Sequence, residues 1–526
     1  MKDSAKRLIL GAGVFLLAAA AVFAGGGSQS SGAAGSASAN AQYPKHLELT
    51  MAVWGIEDAF NKPGAANDTI FNELISKFNV TITPIQITWG DYMEKARLWA
   101  AAGQLPDMFS TDLPMAELTT WASQGVVKAL PDDLSRWPTI QATMNDPAAK
   151  ATAINGKFYK YPRMAKQSSS DWIIDRALAY RKDWLKEAGY DHEPRTFDEF
   201  VEVTKKVLAK HPDAIGLDTS VTGLFALMSG VYPPVSNTGN WVKQNGQWIP
   251  AWAAEGALPG IVQARRLYTE GILSPDFATG AGTVSEVGMF MSGKAFAHMS
   301  VGPLNFDKIE VLMATVSPGA KVEDTIAVMD VWAAPDGVKY YFAETPFWAE
   351  TLFRGNLDQE KFERSLYLLD YMSTNEFQIR RWNGIEGVDW KMENGQMVSL
   401  LPADTTVAQK YPIVTGMGNM GAYGEWLPFT GGMVISSNPA LAAANKIKVD
   451  YFNHRKEIGT PIDINFNIYL MPKIGGRFDI GNDLTRVLVG RDDPVAMWRA
   501  VLREYQAQGY DEMVQDVNTK ARAMGL

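Results

Sequence analysis

The chain has 526 residues, 46% of them hydrophobic and 20% charged, with a formal charge of -9 and no cysteine. Single cores stop growing near roughly 250–300 residues, so two or more lobes are expected. The missing thiols exclude disulfides, thiolate metal sites and a cysteine nucleophile, and the acidic balance gives no electrostatic ground for binding nucleic acid.

In chain order, Lys2, Lys6 and Arg7 precede an uncharged apolar run over residues 8–23 that ends Ala21-Val22-Phe23-Ala24. The run is shorter than the ~20 residues of a membrane span, and small residues stand at the −3 and −1 positions of a cut after Ala24. Residues 1–24 therefore read as a signal peptide, and residues 25–42, rich in Gly, Ser and Ala, as a flexible tether. Gly25 and Gly26 stand where a lipid-carrying cysteine would, so a periplasmic protein without a lipid anchor is expected.

Residues 46–53 alternate and end in an apolar run, as a strand does, with Trp54-Gly55 at its carboxyl end. Asn67 or Asp68 caps a helix that carries Ile70, Phe71, Leu74 and Phe78 at helical spacing. Residues 80–88 form a second strand, 92–102 a helix, 108–111 a short strand just before Asp112, and 118–123 another helix. Strand–helix–strand order argues for an open α/β sheet, whose ligands sit outside the carboxyl ends of the strands. Trp54 and Asp112 hold that position. Further on, Asn155-Gly156 is a tight turn, residues 177–181 a strand, and Thr196-x-x-Glu199 a capping box that opens a helix through residue 208. Helices over 259–271, 362–373 and 494–508 and a strand over 295–299 complete the pattern.

No Gly-x-Ser-x-Gly, Walker, Gly-x-Gly-x-x-Gly or His-Glu-x-x-His motif occurs, nor an Asp-x-Asp-x-Asp-Gly calcium loop. The five histidines are scattered, and the pairs Asp132/Asp133 and Asp492/Asp493 lie beside proline in turn-like sequence. Neither an enzyme nor a resident metal or cofactor is expected. The 16 tryptophans say more. Trp99, Trp121, Trp184 and Trp498 fall in helical patterns and are assigned to the core. Trp54, Trp172, Trp332, Trp348, Trp382 and Trp426 stand in loop-like sequence, where aromatic faces in a polar cleft suit sugar rings.

The sequence resembles the extracellular solute-binding proteins of family 1, the sugar receptors of ABC importers, and within them the lipoprotein-like and alginate-oligosaccharide-binding branch. The resemblance rests on Leu105-Pro106-Asp107, the segments 121–130, 155–163 and 180–185, Arg266 to Leu273, Met291 to Ala297, Trp382-Asn383-Gly384-Ile385-Glu386-Gly387-Val388-Asp389-Trp390 and Gly509-Tyr510-Asp511-Glu512. It implies an α/β chain with the two-lobe periplasmic binding protein fold (type II, maltose-binding-protein-like) and a ligand cleft between the lobes. Lobe one is expected over 43–162 plus about 336–390, and lobe two over 163–335 plus about 391–526.

The implied function is capture of an oligosaccharide by hinge closure and delivery to ABC permease subunits, by a monomer. A secreted hydrolase or lyase acting on carbohydrate, or a ligand-presenting partner of a sensor kinase, are the alternatives. The candidate ligand contacts are Trp54, Asp112, Arg163, Trp172, His298, Trp332, Trp348, Trp382, Glu386, Tyr423 and Trp426. Aromatic members would stack on sugar rings, Asp112 and Glu386 would accept hydroxyl donors, and Arg163 could pair a uronate carboxylate.

Overall fold

The structure is a computed structural model and describes residues 42–165, 176–235, 239–274, 277–278, 288–300, 304–342, 346–422, 424, 427, 432–462 and 478–526. The leader, nearly all of the tether, Trp172, Tyr423 and Trp426 lie outside the described residues. No helix of the described residues is long and apolar enough to cross a membrane.

Strands are numbered in chain order: β1 Leu47–Ala52, β2 Val80–Pro84, β3 Met108–Thr111, β4 Tyr161–Met164, β5 Leu178–Arg181, β6 Ile215–Asp218, β7 Trp241–Gln244, β8 Gln247–Pro250, β9 Ala295–Met299, β10 Ile326–Met329, β11 Tyr340–Tyr341, β12 Phe347–Phe353, β13 Trp390–Glu393, β14 Gln396–Ser399 and β15 Thr460–Pro461. A five-stranded sheet has the order β2-β1-β3-β12-β4, and a four-stranded sheet the order β10-β5-β9-β6. In the first, β1 runs parallel to β2 and β3, while β12 is antiparallel to both β3 and β4. In the second, β6 and β9 are parallel, and β5 is antiparallel to β9 and β10.

The first sheet packs helices on its faces. Asp68 caps the helix Thr69–Phe78 by accepting from the Phe71 amide at 2.9 Å, and Ile70, Phe71, Leu74 and Phe78 of that helix are buried. The helix Tyr92–Ala102 falls where its periodicity predicts and closes on Gly103 in the left-handed region. Leu49, Met51, Phe109, Tyr161, Leu352 and Phe353 join these side chains in one core. Leu178 and Tyr180 of β5 enter one core while Ala179, with Ala177 just before the strand, enters another, so the second sheet is covered on both faces. The C-terminal helices Ile480–Val489 and Pro494–Ala507 add Leu484, Val487 and Trp498 to the former.

The chain builds the first sheet through β4, the second through β10, and returns with β12. The stretch 407–420 differs from its expected placement with the C-terminal part. Tyr411, Ile413, Val414, Met417 and Met420 lie in the core of the first sheet, together with Leu49 and Met51. The reason is a carboxylate: buried Asp68 also accepts from the Ile413 and Val414 amides at 2.8 and 3.0 Å. The helix Pro439–Ile458, by contrast, packs Ala444 and Phe452 against the second sheet. β11 and β15 form a short parallel ladder, and Tyr341 of β11 lies with Phe452 in a core of the second sheet.

Candidate ligand-binding site

Trp54 lies just past β1, Trp89 just past β2 and Asp112 directly after β3, so three neighbouring parallel strands deliver them to one sheet edge. Antiparallel β12 brings Trp348 to the same edge, and β4 ends there with Arg163, because Phe347 pairs Met164 and Glu350 pairs Thr111. The β12–β4 register shifts between Phe347 and Glu350, and Ala349 in that irregularity has φ of 60°. A β-bulge of this kind re-aims the side chains beside it, here Trp348 and Glu350.

The three indoles stack. Trp54 and Trp89 have centroids 4.4 Å apart at 8°, Trp54 and Trp348 lie 5.3 Å apart at 20°, and Trp89 and Trp348 5.3 Å apart at 28°. Tyr92 meets Trp54 edge-on at 5.4 Å. Trp54 is only 3% exposed while Trp89 is 41% exposed, so Trp89 is the face offered outward. Arg163, 2% exposed, places its guanidinium carbon 4.9 Å from the Trp348 ring and 5.6 Å from that of Trp54. Its Nε donates to the Trp348 carbonyl at 3.1 Å, and Nη1 reaches the Asn419 carbonyl and Oδ1 at 3.4 Å. Arg163 therefore supports the aromatic stack from inside the lobe.

Beside the stack are two carboxylates. Glu350, 1% exposed, accepts from the Leu113 amide at 3.0 Å and lies 3.4 Å from Lys160 Nζ, so it fixes the turn that carries Asp112. Burial pushes the Glu350 carboxyl up to about 7, with Lys160 opposing and Asp112 reinforcing the rise. Burial also raises Asp112, again against Lys160, and raises the Tyr92 hydroxyl, with the charge of Asp112 adding to it.

His298 on β9 sits opposite Asp218 at the end of β6, with Nδ1 3.3 Å from Asp218 Oδ2, at the carboxyl edge of the second sheet. Trp332, by contrast with the stacked indoles, is packed in the second sheet's core against Phe197 and Phe200. Gly230 approaches it so closely that a Cβ there would stand 2.2 Å from the indole nitrogen. Trp382 is half-buried on the helix Asn375–Asn383 beneath Arg381, whose guanidinium carbon is 4.7 Å from its ring. Glu386 is exposed in the following loop, in an isolated parallel bridge with Trp390.

Sequence reasoning missed Trp89, Tyr92, Lys160 and Glu350. Trp89-Gly90 repeats the Trp54-Gly55 pair at the end of the neighbouring strand, which was a readable signal. Glu350 and Lys160 are charges set inside apolar strand sequence, a weaker one. Among the described residues no group of three or more His, Asp or Glu converges as a metal site.

A family model described as bacterial extracellular solute-binding protein matches residues 56–343. The lipoprotein LipO of Bacillus subtilis (strain 168) is 23% identical over 333 residues, which are 60% of this chain and 63% of that protein, so the chain spans less than two thirds of this relative. Among solved structures, alginate-binding protein AlgQ2, without calcium ion, superposes with a TM-score of 0.67 at 17% identity, covering 90% of this chain and 98% of that one. The N-glycan transport solute-binding protein NgtS of Streptococcus pneumoniae, in complex with Man1GlcNAc, gives 0.58 at 15% identity over 90% and 98% of the two chains. The S. pneumoniae ABC-transporter substrate-binding protein FusA, in complex with kestose, gives 0.57 at 16% over 91% and 96%. At such identities the likeness establishes a shared two-lobe α/β fold. With a family match over more than half its length and that fold throughout, the chain belongs to the bacterial extracellular solute-binding proteins.

Proposed function

We propose that the protein is an exported receptor that captures an oligosaccharide between its two lobes and delivers it to an ABC permease. The observation that carries this reading is the indole stack: a partly exposed Trp89, backed by Trp54 and Trp348, beside a carboxylate at the carboxyl ends of parallel strands. A flat apolar face next to acceptors matches the C–H face and hydroxyl rim of a pyranose or furanose ring. That similar folds are found holding kestose and Man1GlcNAc supports a sugar ligand. The second lobe would contribute from its own strand ends, where Asp218 and His298 sit. Closure is favoured only by a ligand that touches both lobes.

Native mass spectrometry and calorimetry of the exported chain against an oligosaccharide panel test the reading. A stoichiometric complex is expected. Trp89→Ala should weaken it at least about tenfold, near 1.4 kcal/mol, and lower the melting temperature of the free protein modestly through the lost stacking on Trp54 and Trp348. Undiminished affinity in Trp89→Ala would move the site elsewhere.

A further inference from the structure

We propose that Asn419 is a positioning residue of the ligand site: its side-chain carbonyl joins Arg381 to Arg163 and so sets the three-indole stack against the helix Asn375–Asn383. This role rests on the receptor reading and deepens it, since it names what holds the ring face that a ligand would meet.

The contacts begin away from the strand ends. Arg381, 4% exposed, lies on that helix and donates from Nε to the Thr415 carbonyl at 3.3 Å and from Nη1 to Gln378 Oε1 at 3.2 Å. Its Nη2 donates to Asn419 Oδ1 at 2.7 Å. The guanidinium fits there because residue 418 is glycine, where a Cβ would collide with Arg381 Cδ. From the other side, Arg163 Nη1 donates to the same Asn419 Oδ1 and to the Asn419 backbone carbonyl, each at 3.4 Å. An amide oxygen has two lone pairs, so one Asn419 serves both guanidinium groups. Two cations that share an oxygen repel each other, and the acceptor between them offsets that cost.

Arg163 carries the constraint to the rings. Its Nε donates to the Trp348 carbonyl at 3.1 Å, and its guanidinium carbon is 4.9 Å from the Trp348 ring and 5.6 Å from that of Trp54. The register pairs Phe347 and Glu350 of β12 with neighbouring strands but skips Trp348, which lies in the bulge. Arg163 therefore holds Trp348 where the ladder does not. Trp348 and Trp54 then back the partly exposed Trp89.

Circular dichroism reads the stack without a ligand. Indoles in van der Waals contact couple their electronic transitions and give a paired positive and negative band, which collapses as the rings move apart. Among the described residues, the ring contacts between tryptophans are those of Trp54, Trp89 and Trp348. Trp348→Phe, which breaks the stack, supplies the reference spectrum. The exported chain is then compared as wild type, Asn419→Leu, Asn419→Asp and Gly418→Ala, each well below its melting temperature. Asn419→Leu offers no side-chain acceptor and should lose most of the band. Gly418→Ala displaces Arg381 and should lose part of it, although it lies outside the stack. Asn419→Asp returns an acceptor between the two cations and should rescue the band. A full band in folded Asn419→Leu overturns the inference, and so does a loss in Asn419→Asp equal to that in Asn419→Leu. Where Asn419→Leu fails to fold, a full band in Gly418→Ala overturns it. An oligosaccharide that binds the wild type should bind Asn419→Leu at least about tenfold more weakly and recover in Asn419→Asp. If no oligosaccharide binds the wild type, the receptor reading falls, and the band still decides whether Asn419 holds the stack.

Discussion

Glu350 shows how one buried side chain can couple the site to solution conditions. It sits in an otherwise apolar strand, holds the Leu113 amide and pairs with Lys160, and burial lifts its carboxyl to about 7 from an ordinary value of 4.5. The folded state therefore binds the proton more tightly than the unfolded one. Glu350's contribution is most favourable below about 4.5, falls as pH rises towards 7, and its full cost, on the order of 3 kcal/mol, is present above it. Asp112, also raised by burial, titrates in the same sense, and Lys160 opposes both. Thermal melts of wild type and Glu350→Gln between pH 5 and 8 should diverge in slope: the wild type loses stability with rising pH where the variant loses less. Parallel profiles would mean that Glu350 is ionised throughout. Tryptophan is the other lesson at this scale. Trp54 and Trp332 both follow strands in loop-like sequence, yet one lies in the indole stack and the other is packed among Phe197 and Phe200.

At the level of elements, local signals served well where they were self-contained. The helix over 92–102, the strands over 108–111 and 295–299, and the Asn155-Gly156 turn, with φ of 50° and 78°, stand where composition and spacing put them. The Thr196 box is half made. Thr196 caps the Glu199 amide at 3.1 Å, but the Glu199 carboxylate turns back to the Arg195 amide at 2.7 Å and to His192 at 2.9 Å. Asp68 does more than its cap pattern indicates, since one buried carboxylate holds the amino ends of Thr69–Phe78 and Pro412–Met417. Asp68→Ala would leave three buried amides without acceptors, at 1–3 kcal/mol for each one not rescued by water, so a loss of about 3 kcal/mol or more is expected in the urea midpoint. A loss under ~1 kcal/mol would show that the second helix is held by its apolar side chains alone.

For the whole molecule, the two sheets have separate cores, and the chain passes between them in few segments, among them those that join β4 to β5 and β11 to β12. Bodies joined so sparsely can rotate, and a ligand touching both is the element that biases their angle. Small-angle scattering should record a smaller radius of gyration when the ligand is added. At 100 times its dissociation constant the ligand should add ~2.7 kcal/mol of stability. An unchanged radius with full thermal stabilisation would place the whole site on one lobe.

By itself the sequence determined the α/β class, most elements of both sheets, the chemistries excluded by lacking cysteine, and the first two strand ends of the site. Those properties are local: period, cap, turn and composition act over a few residues. Only the tertiary structure decided that Trp89 completes the stack, that Arg163 packs against Trp348 and Trp54, that Glu350 pairs with Lys160 beside Asp112, and that residues 407–420 close the first core. Each depends on strand order, on a bulge, or on the register that sets Glu350 against Thr111. Register and order come from the packing of residues remote in the chain, and no short stretch of sequence carries them.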